Sequence, residues 1–75
     1  MRTEQEVLKD FEALGYKIKV NNASMLYLAN DNDVVIHINK LFKGYRRFYD
    51  NEISNYVIMQ EHKLLNELFQ IWNWL

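Results

Sequence analysis

The sequence predicts an α+β fold in which a helix, an antiparallel meander of three or four strands and a C-terminal helix follow one another. Three observations support this prediction. Apolar residues recur at helical spacing near both ends of the chain, they alternate with polar residues in between, and clusters of polar turn residues separate the alternating stretches. Short links between the elements favour an antiparallel sheet, and we expect both helices to lie on one face of it.

The first helix is predicted over residues 4–14. Thr3 and Glu6 form the S/T-x-x-E pattern of a capping box directly before the apolar residues. Four apolar residues then share one helical face: Val7, Leu8, Phe11 and Leu14. Gly15 follows as the residue that can adopt positive φ where the helix ends.

The next stretch predicts three strands. Residues 16–21 alternate apolar and polar side chains, as in a half-buried strand, and Asn21-Asn22 suits a two-residue turn. Residues 24–29 are apolar on both faces and predict a central strand, and 30–33 form a second polar turn cluster. Residues 34–39 are rich in β-branched side chains and predict the third strand.

A fourth strand is predicted over 45–49, after a connection at 40–44 in which Gly44 is the turn residue. Residues 53–58 are compatible either with the first turn of the last helix or with an extended segment at the sheet edge. From Met59 the pattern is helical, with a wide apolar stripe and with Glu61 assigned to the opposite, polar side. Because the chain contains no proline, we expect this helix to continue to the C-terminus.

Composition narrows the functional classes. At 75 residues we expect a single domain over 1–75, and 49% hydrophobic residues argue against disorder. The net charge of −1 indicates neither a strongly basic nor a strongly acidic protein, and the absence of cysteine excludes disulfides. The polar N-terminus and the short apolar runs predict no signal peptide and no membrane association, so we expect a cytoplasmic protein.

No pattern indicates catalysis, a cofactor or a metal. His37 and His62 have no neighbouring ligands at the spacing that zinc sites use. Ser24 and Ser54 lack the glycine-rich context of a nucleophile elbow. We therefore expect a non-enzymatic protein without cofactors.

The segment 40–49 is the strongest local signal, because basic and aromatic residues interleave and no acidic residue occurs between Val34 and Tyr49. Such a mixture suits an acidic protein surface, where Arg and Tyr are favoured anchors, or nucleic acid, where cations meet phosphates and rings stack on bases. It also suits an ordinary edge hairpin, since edge strands commonly carry Lys and Arg. The candidate partner-binding residues in this segment are Lys40, Lys43, Tyr45, Arg46, Arg47 and Tyr49.

The C-terminus adds two candidates, Trp72 and Trp74. In a continuous helix Trp74 would lie about 120° from Leu68, so both tryptophans are hard to bury on one intramolecular face. Either one packs within the chain, or an exposed tryptophan marks a protein partner or a homodimer contact through the last helix.

Three stretches, 6–16, 34–40 and 59–75, resemble small proteins of unassigned function encoded by phages and prophages of Gram-positive bacteria. This resemblance implies a bacterial cytoplasmic setting and an accessory role, such as the modulation of a host or defence protein. The combined interpretation is a non-enzymatic protein-binding accessory module. The alternative is a nucleic-acid-binding accessory protein that uses segment 40–49.

Overall fold

The computed structural model describes residues 2–48 and 55–74 and confirms the predicted α+β fold. The four strands form one antiparallel sheet in the order β1-β2-β3-β4, which is a simple meander. The elements are α1 (Glu4–Ala13), β1 (Tyr16–Asn21), β2 (Met25–Asn30), β3 (Val35–Asn39), β4 (Gly44–Phe48) and α2 (Asn55–Ile71).

The chain divides into two compact units. Helices α1 and α2 pack on each other as one unit, and the four strands form the other. The expectation of a single domain rests on chain length and stays a prediction, as does the expected placement of both helices on one face of the sheet.

The capping box predicted at the start of α1 is confirmed. The Thr3 hydroxyl accepts the backbone N–H of Glu6 at 3.2 Å, and the Glu6 carboxylate accepts the backbone N–H of Thr3 at 3.0 Å. The predicted apolar face is buried at Val7, Leu8 and Phe11. Two of the unpaired N–H groups at the helix start are thereby satisfied by side chains rather than by water.

Hydrogen bonds from Thr3 hold the pKa of Glu6 below its ordinary value of 4.5, the backbone N–H contributing most and the hydroxyl next. A carboxylate with a lowered pKa stabilises the folded state above the unfolded-state pKa, and this contribution disappears as the pH falls through the folded-state pKa. We therefore expect Glu6→Gln to be less stable than the wild type at neutral pH and to differ less from it at acidic pH. Thermal denaturation across this pH range measures the difference. Glu12→Gln, which removes an exposed carboxylate from the same helix, is the matched control and should not show the same convergence.

A salt bridge network joins α2 to the residues around α1. The Arg2 guanidinium donates from Nε to Glu67 Oε1 at 3.2 Å and from Nη2 to Glu67 Oε2 at 2.6 Å, and Nη1 pairs with Asp10. The hydrogen bonds to Glu67 and, to a smaller extent, to Asp10 raise the pKa of Arg2 above its ordinary value. The bidentate geometry fixes the orientation of the planar guanidinium, which a lysine could not reproduce.

The two faces of the sheet differ in exposure. Strand register places alternate residues of β2 and β3 opposite one another, and one set is fully buried: Leu26, Leu28, Ile36 and Ile38. We call this the buried face. The other set is half-exposed and defines the outer face: Met25, Tyr27, Val35 and His37. β2 and β3 are the central strands, as the apolar pattern of residues 24–29 predicts for β2.

The predicted alternation in β1 fails at Val20, the last of its three apolar residues. Tyr16 is buried, but Ile18 and Val20 are each 37% exposed. A β-bulge between Ile18 and Val20 shifts the register, so that Ile18 lies opposite Leu28 whereas Val20 lies opposite Tyr27. Because a bulge inserts one residue, Val20 moves to the outer face, and period-two reasoning fails beyond it.

Each hairpin turn begins with an asparagine whose side chain accepts backbone N–H groups of the turn. Asn22 Oδ1 accepts from Ser24 and Met25 at 2.8 and 2.9 Å, so the predicted two-residue turn at Asn21-Asn22 is instead a longer turn at 22–24. Asn30 Oδ1 accepts from Asn32 and Val34 at 2.9 and 3.1 Å. Such bonds replace the ladder partners that the backbone loses on leaving a strand.

The third turn departs from the prediction that Gly44 is the turn residue. Asn39 Oδ1 accepts from Leu41 and Phe42 at 3.1 Å each, and Lys43 adopts the positive φ of 55°. Gly44 is instead the first residue of β4. The asparagine supplies enough local bonding for a lysine to hold the left-handed conformation that glycine more commonly takes.

The two glycines should respond oppositely to alanine. Gly15 has φ of +100°, which strains any side chain, whereas Gly44 has open space around the position of an added Cβ and no such φ. We expect Gly15→Ala to lower the free energy of unfolding by about 1–3 kcal/mol, and Gly44→Ala to raise it by about 0.5–1 kcal/mol by restricting the unfolded chain. Urea denaturation of both variants measures the two signs. Equal effects of the two substitutions would contradict the finding that Gly15, and not Gly44, has a positive φ.

In sequence, residues 53–58 are compatible with a helix or an extended segment. Residues 55–58 belong to helix α2, and residues 53–54 lie outside the described residues. The assignment of Glu61 to the polar side is wrong, because its side chain is buried. Glu61 precedes the buried Leu64, Leu65 and Leu68 by three, four and seven residues, so it lies in the apolar stripe itself.

The helix does not continue to the C-terminus as predicted but ends at Ile71. Asn73 adopts φ of 59°, the Asn73 N–H bonds to the Gln70 carbonyl at 3.1 Å, and the Trp74 N–H bonds to the Phe69 carbonyl at 2.7 Å. This pair of bonds is a Schellman motif with asparagine as the left-handed residue. The turn reverses the chain and brings Trp74 back over the last turn of the helix.

Both tryptophans are consequently accommodated within the helical unit. The Trp74 ring stacks on Phe69 with centroids 4.9 Å apart and planes 12° from parallel, and the Trp72 ring lies 5.1 Å from Trp74. The Trp72 indole N–H donates to Glu4 Oε1 at 2.8 Å, which ties the end of α2 to the start of α1. The difficulty of burying both rings on one intramolecular face followed from assuming a continuous helix, and the turn at Asn73 removes it.

Candidate functional site

The hairpin formed by β3 and β4 carries the candidate surface, and its tip is its most exposed part. Leu41 and Phe42 are 69% and 83% exposed, although both are large apolar side chains. Asn39 binds the backbone N–H groups of both residues, so the tip has a defined conformation. We call residues 41–43 the hairpin tip. Two adjacent exposed apolar residues on an ordered turn are unusual, because folding gains nothing from them.

Lys40, a predicted partner-binding residue, is engaged within the sheet. Its ammonium group donates to Asn21 Oδ1 at 2.9 Å and to the Asn22 carbonyl at 2.7 Å. Its backbone N–H donates to the Ser24 carbonyl at 2.9 Å. These bonds hold the first hairpin turn against the start of the third. The charge of Lys40 is thus already shared with two oxygen acceptors, which reduces what it can offer to a ligand.

Strand β4 divides the predicted basic-aromatic residues between the two sheet faces. Tyr45 and Arg47 lie opposite Ile38 and Ile36 and belong to the buried face. The Arg47 Nη2 atom is shielded from solvent, whereas Tyr45 is 41% exposed. Segment 40–49 is therefore not one continuous binding strip, because the pleat separates neighbours along the chain.

The other two residues of β4 belong to the outer face. Arg46 lies opposite His37, and Phe48 lies opposite Val35 and is 52% exposed. Arg46 is exposed, and no carboxylate among residues 2–48 and 55–74 forms an ion pair with it. Lys43 is exposed at the hairpin tip, and Tyr49 lies outside the described residues.

A shallow depression of about 420 Å³ lies on the outer face along β4. At Gly44 nothing lies within 4 Å of the position where a Cβ would be, so this end of the depression is open. Behind it, the His37 ring contacts the Tyr27 ring at a centroid distance of 5.9 Å. The outer-face residues that line the depression are His37, Asn39, Gly44, Arg46 and Phe48, and Tyr45 also borders it although its register places it on the other face. The depression therefore combines polar groups, one exposed guanidinium and aromatic surface.

Trp72 and Trp74 belong to the helical unit and not to the unit that contains this hairpin, and both are half-buried. A different apolar set is exposed on α2, with Tyr56 and Met59 each 68% exposed and Ile58 41% exposed. Sequence reasoning missed this set and also missed Leu41. The available signal was helical phase, since Tyr56 and Met59 lie opposite the stripe of buried leucines.

Comparisons with protein-family models, with curated proteins and with solved structures find no match to this chain. Neither helix, in the part of the chain that the structure describes, is long and apolar enough to cross a membrane. Within the same residues, no three His, Asp or Glu side chains come together in a group that could hold a metal ion.

Proposed function

We propose that this chain is a non-enzymatic protein-binding module that engages its partner through the β3–β4 hairpin. The observation that supports the proposal most is the ordered hairpin tip, which exposes Leu41 and Phe42 side by side. The resemblance to phage and prophage proteins extends the proposal to an accessory role in the bacterial cytoplasm, with a host or defence protein as the partner.

The hairpin tip has the properties of an interface anchor. Complete burial of a leucine or phenylalanine side chain contributes about 1.5–3 kcal/mol, so the pair could contribute much of a moderate binding energy. The hydrogen bonds from Asn39 fix the backbone before binding, which lowers the entropy cost of association. An apolar anchor beside exposed cations favours a protein surface that is itself apolar and acidic.

The positions of the cations favour protein over nucleic acid. Of the four basic residues in segment 40–49, Lys40 is bound to two oxygens and Arg47 lies on the buried face. Lys43 and Arg46 are the exposed pair. Two phosphate contacts would release few counterions, whereas proteins that bind DNA strongly through phosphates make about 6–10 such contacts. Nucleic acid binding through this segment should therefore be weak at physiological salt.

Affinity capture from a bacterial lysate tests the proposal when wild type and variants are compared. We expect the double variant Leu41→Ser and Phe42→Ser to lose a protein that the wild type captures and to keep the wild-type melting temperature. The matched control is Tyr56→Ser with Met59→Ser, which removes a similar exposed apolar pair from α2. Capture that persists in the tip variant would contradict the proposal, and loss in the control instead would move the site to α2.

Two further measurements separate the alternatives. Titration of labelled duplex and single strands at two salt concentrations tests nucleic acid, and tight binding abolished by Arg46→Ala would replace the proposal. Light scattering tests self-association. A dimer dissociated by the α2 variant would indicate a homodimer through the last helix rather than a different partner.

A further inference from the structure

We infer that the depression on the outer face, beside Arg46 and Phe48, binds an extended acidic peptide segment of the partner, with a carboxylate at Arg46 and an apolar side chain against Phe48. This inference rests on the proposed function and deepens it, because it names the chemistry of the partner. The hairpin tip would be the apolar anchor of the interface, and the depression would select the sequence that binds.

The spacing along β4 matches that of an extended peptide. Gly44, Arg46 and Phe48 are two residues apart and lie on the same face, so consecutive members are separated by about 7 Å. An extended peptide places its own alternate side chains at the same interval. A peptide with an acidic residue and an aromatic residue two positions apart can therefore contact Arg46 and Phe48 at once.

The charge of this surface selects an anion. Segment 34–48 contains no acidic residue, and Arg46 is not paired with any carboxylate that the structure describes. A guanidinium presents two parallel N–H groups that match a carboxylate. One such cation suits a single carboxylate next to an apolar group better than a run of phosphates, which would need a line of cations.

Aromatic rings that stay accessible to solvent in the folded protein supply the apolar half of the site. Phe48 is 52% exposed, and His37, which contacts Tyr27, is half-exposed on the same face. An aromatic side chain placed in the depression would cover both rings and remove their surface from water. Gly44 lies beyond Arg46, about 14 Å along β4 from Phe48, and leaves the other end of the depression open for the rest of the peptide, since nothing lies within 4 Å of the position where a Cβ would be.

A substitution at Gly44 tests the depression without destabilising the fold. Because Gly44 is a strand residue without positive φ, Gly44→Thr should fit the strand and keep or raise stability while filling the depression. Arg46→Glu reverses the selecting charge. Lys19→Glu, at an exposed position of β1 at the other edge of the sheet, makes the same charge change as a control.

The probe is a short fluorescent peptide with aspartate and phenylalanine two positions apart, titrated by anisotropy and by amide chemical-shift mapping. We expect saturable binding with shifts around His37, Arg46 and Phe48, weakened about tenfold or more by Arg46→Glu and by Gly44→Thr but not by Lys19→Glu. Peptides with lysine in place of aspartate, or alanine in place of phenylalanine, should bind at least about tenfold more weakly.

Several outcomes would overturn the inference: no saturable binding, equal binding of the lysine peptide, wild-type affinity in the Gly44→Thr variant, or tighter binding of an oligothymidylate than of the peptide. The variants also separate this inference from the proposed function. If partner capture depends on Leu41 and Phe42 but is unaffected by Arg46→Glu and Gly44→Thr, the inference fails and the protein-binding hairpin remains. If capture does not depend on Leu41 and Phe42, the proposed function fails as well.

Discussion

Phe11→Ala is expected to lower the free energy of unfolding by about 3–5 kcal/mol, whereas Phe42→Ala should change it by no more than about 0.5 kcal/mol. The chemical change is the same in both variants. Phe11 lies on the apolar face of α1 and is fully buried, so its removal loses transfer free energy and leaves a cavity. Phe42 is 83% exposed at the hairpin tip and has little packing to lose.

The size of the first effect matters because a protein of this length has only about 4–11 kcal/mol of total stability. Phe11→Ala should therefore be partly unfolded at 37 °C and show a strongly reduced urea midpoint with an unchanged m-value. Leu68→Ala and Leu41→Ala repeat the comparison with a buried and an exposed leucine. If Phe42→Ala were as destabilising as Phe11→Ala, the tip would be part of the folding core and not a surface reserved for a partner.

Trp74→Ala is expected to lower the free energy of unfolding by about 1.5–3 kcal/mol, although Trp74 lies near the very end of the chain. The loss has two parts. The stacked contact with Phe69 disappears, and so does the apolar contact that accompanies the Schellman turn at the end of α2. Near-ultraviolet circular dichroism should lose intensity at the same time, because the Trp72 and Trp74 rings are 5.1 Å apart.

Asn73→Gly serves as the control for Trp74→Ala. Glycine adopts the positive φ of position 73 at least as readily as asparagine, so the turn and the stacked rings should persist with stability close to wild type. A Trp74→Ala variant with wild-type stability and spectrum would show that the rings do not hold the turn closed.

The sequence was sufficient for the order and type of the elements because each has its own local signal. The Thr3–Glu6 pattern predicts the start of α1, and the β-branched run at 34–39 predicts β3. Three features could not be predicted from local sequence signals. The bulge after Ile18, the buried position of Glu61 and the turn at Asn73 each depend on a register or phase that tertiary structure fixes.

The candidate site was predicted only in part. Segment 40–49 was found because cations and aromatic residues concentrate there, but composition does not say which neighbour faces which side of a sheet. The register of β4 with β3 separates Arg46 from Arg47, and the bonds from Lys40 to the first turn link residues 18 and 19 positions apart. Leu41 and Phe42 stand out only when their exposure is known, since apolar residues in a connection are usually covered.

The helical unit is built from two segments that are far apart in the sequence, and this separation has a kinetic consequence. The Arg2–Glu67 and Glu4–Trp72 contacts join residues 65 and 68 positions apart, whereas every hairpin joins neighbours along the chain. Loop-closure entropy makes such distant contacts late events, so the meander should be largely formed at the rate-limiting step and the two helices should close afterwards. Substitutions at Arg2 or Trp72 should then accelerate unfolding and leave the refolding rate nearly unchanged.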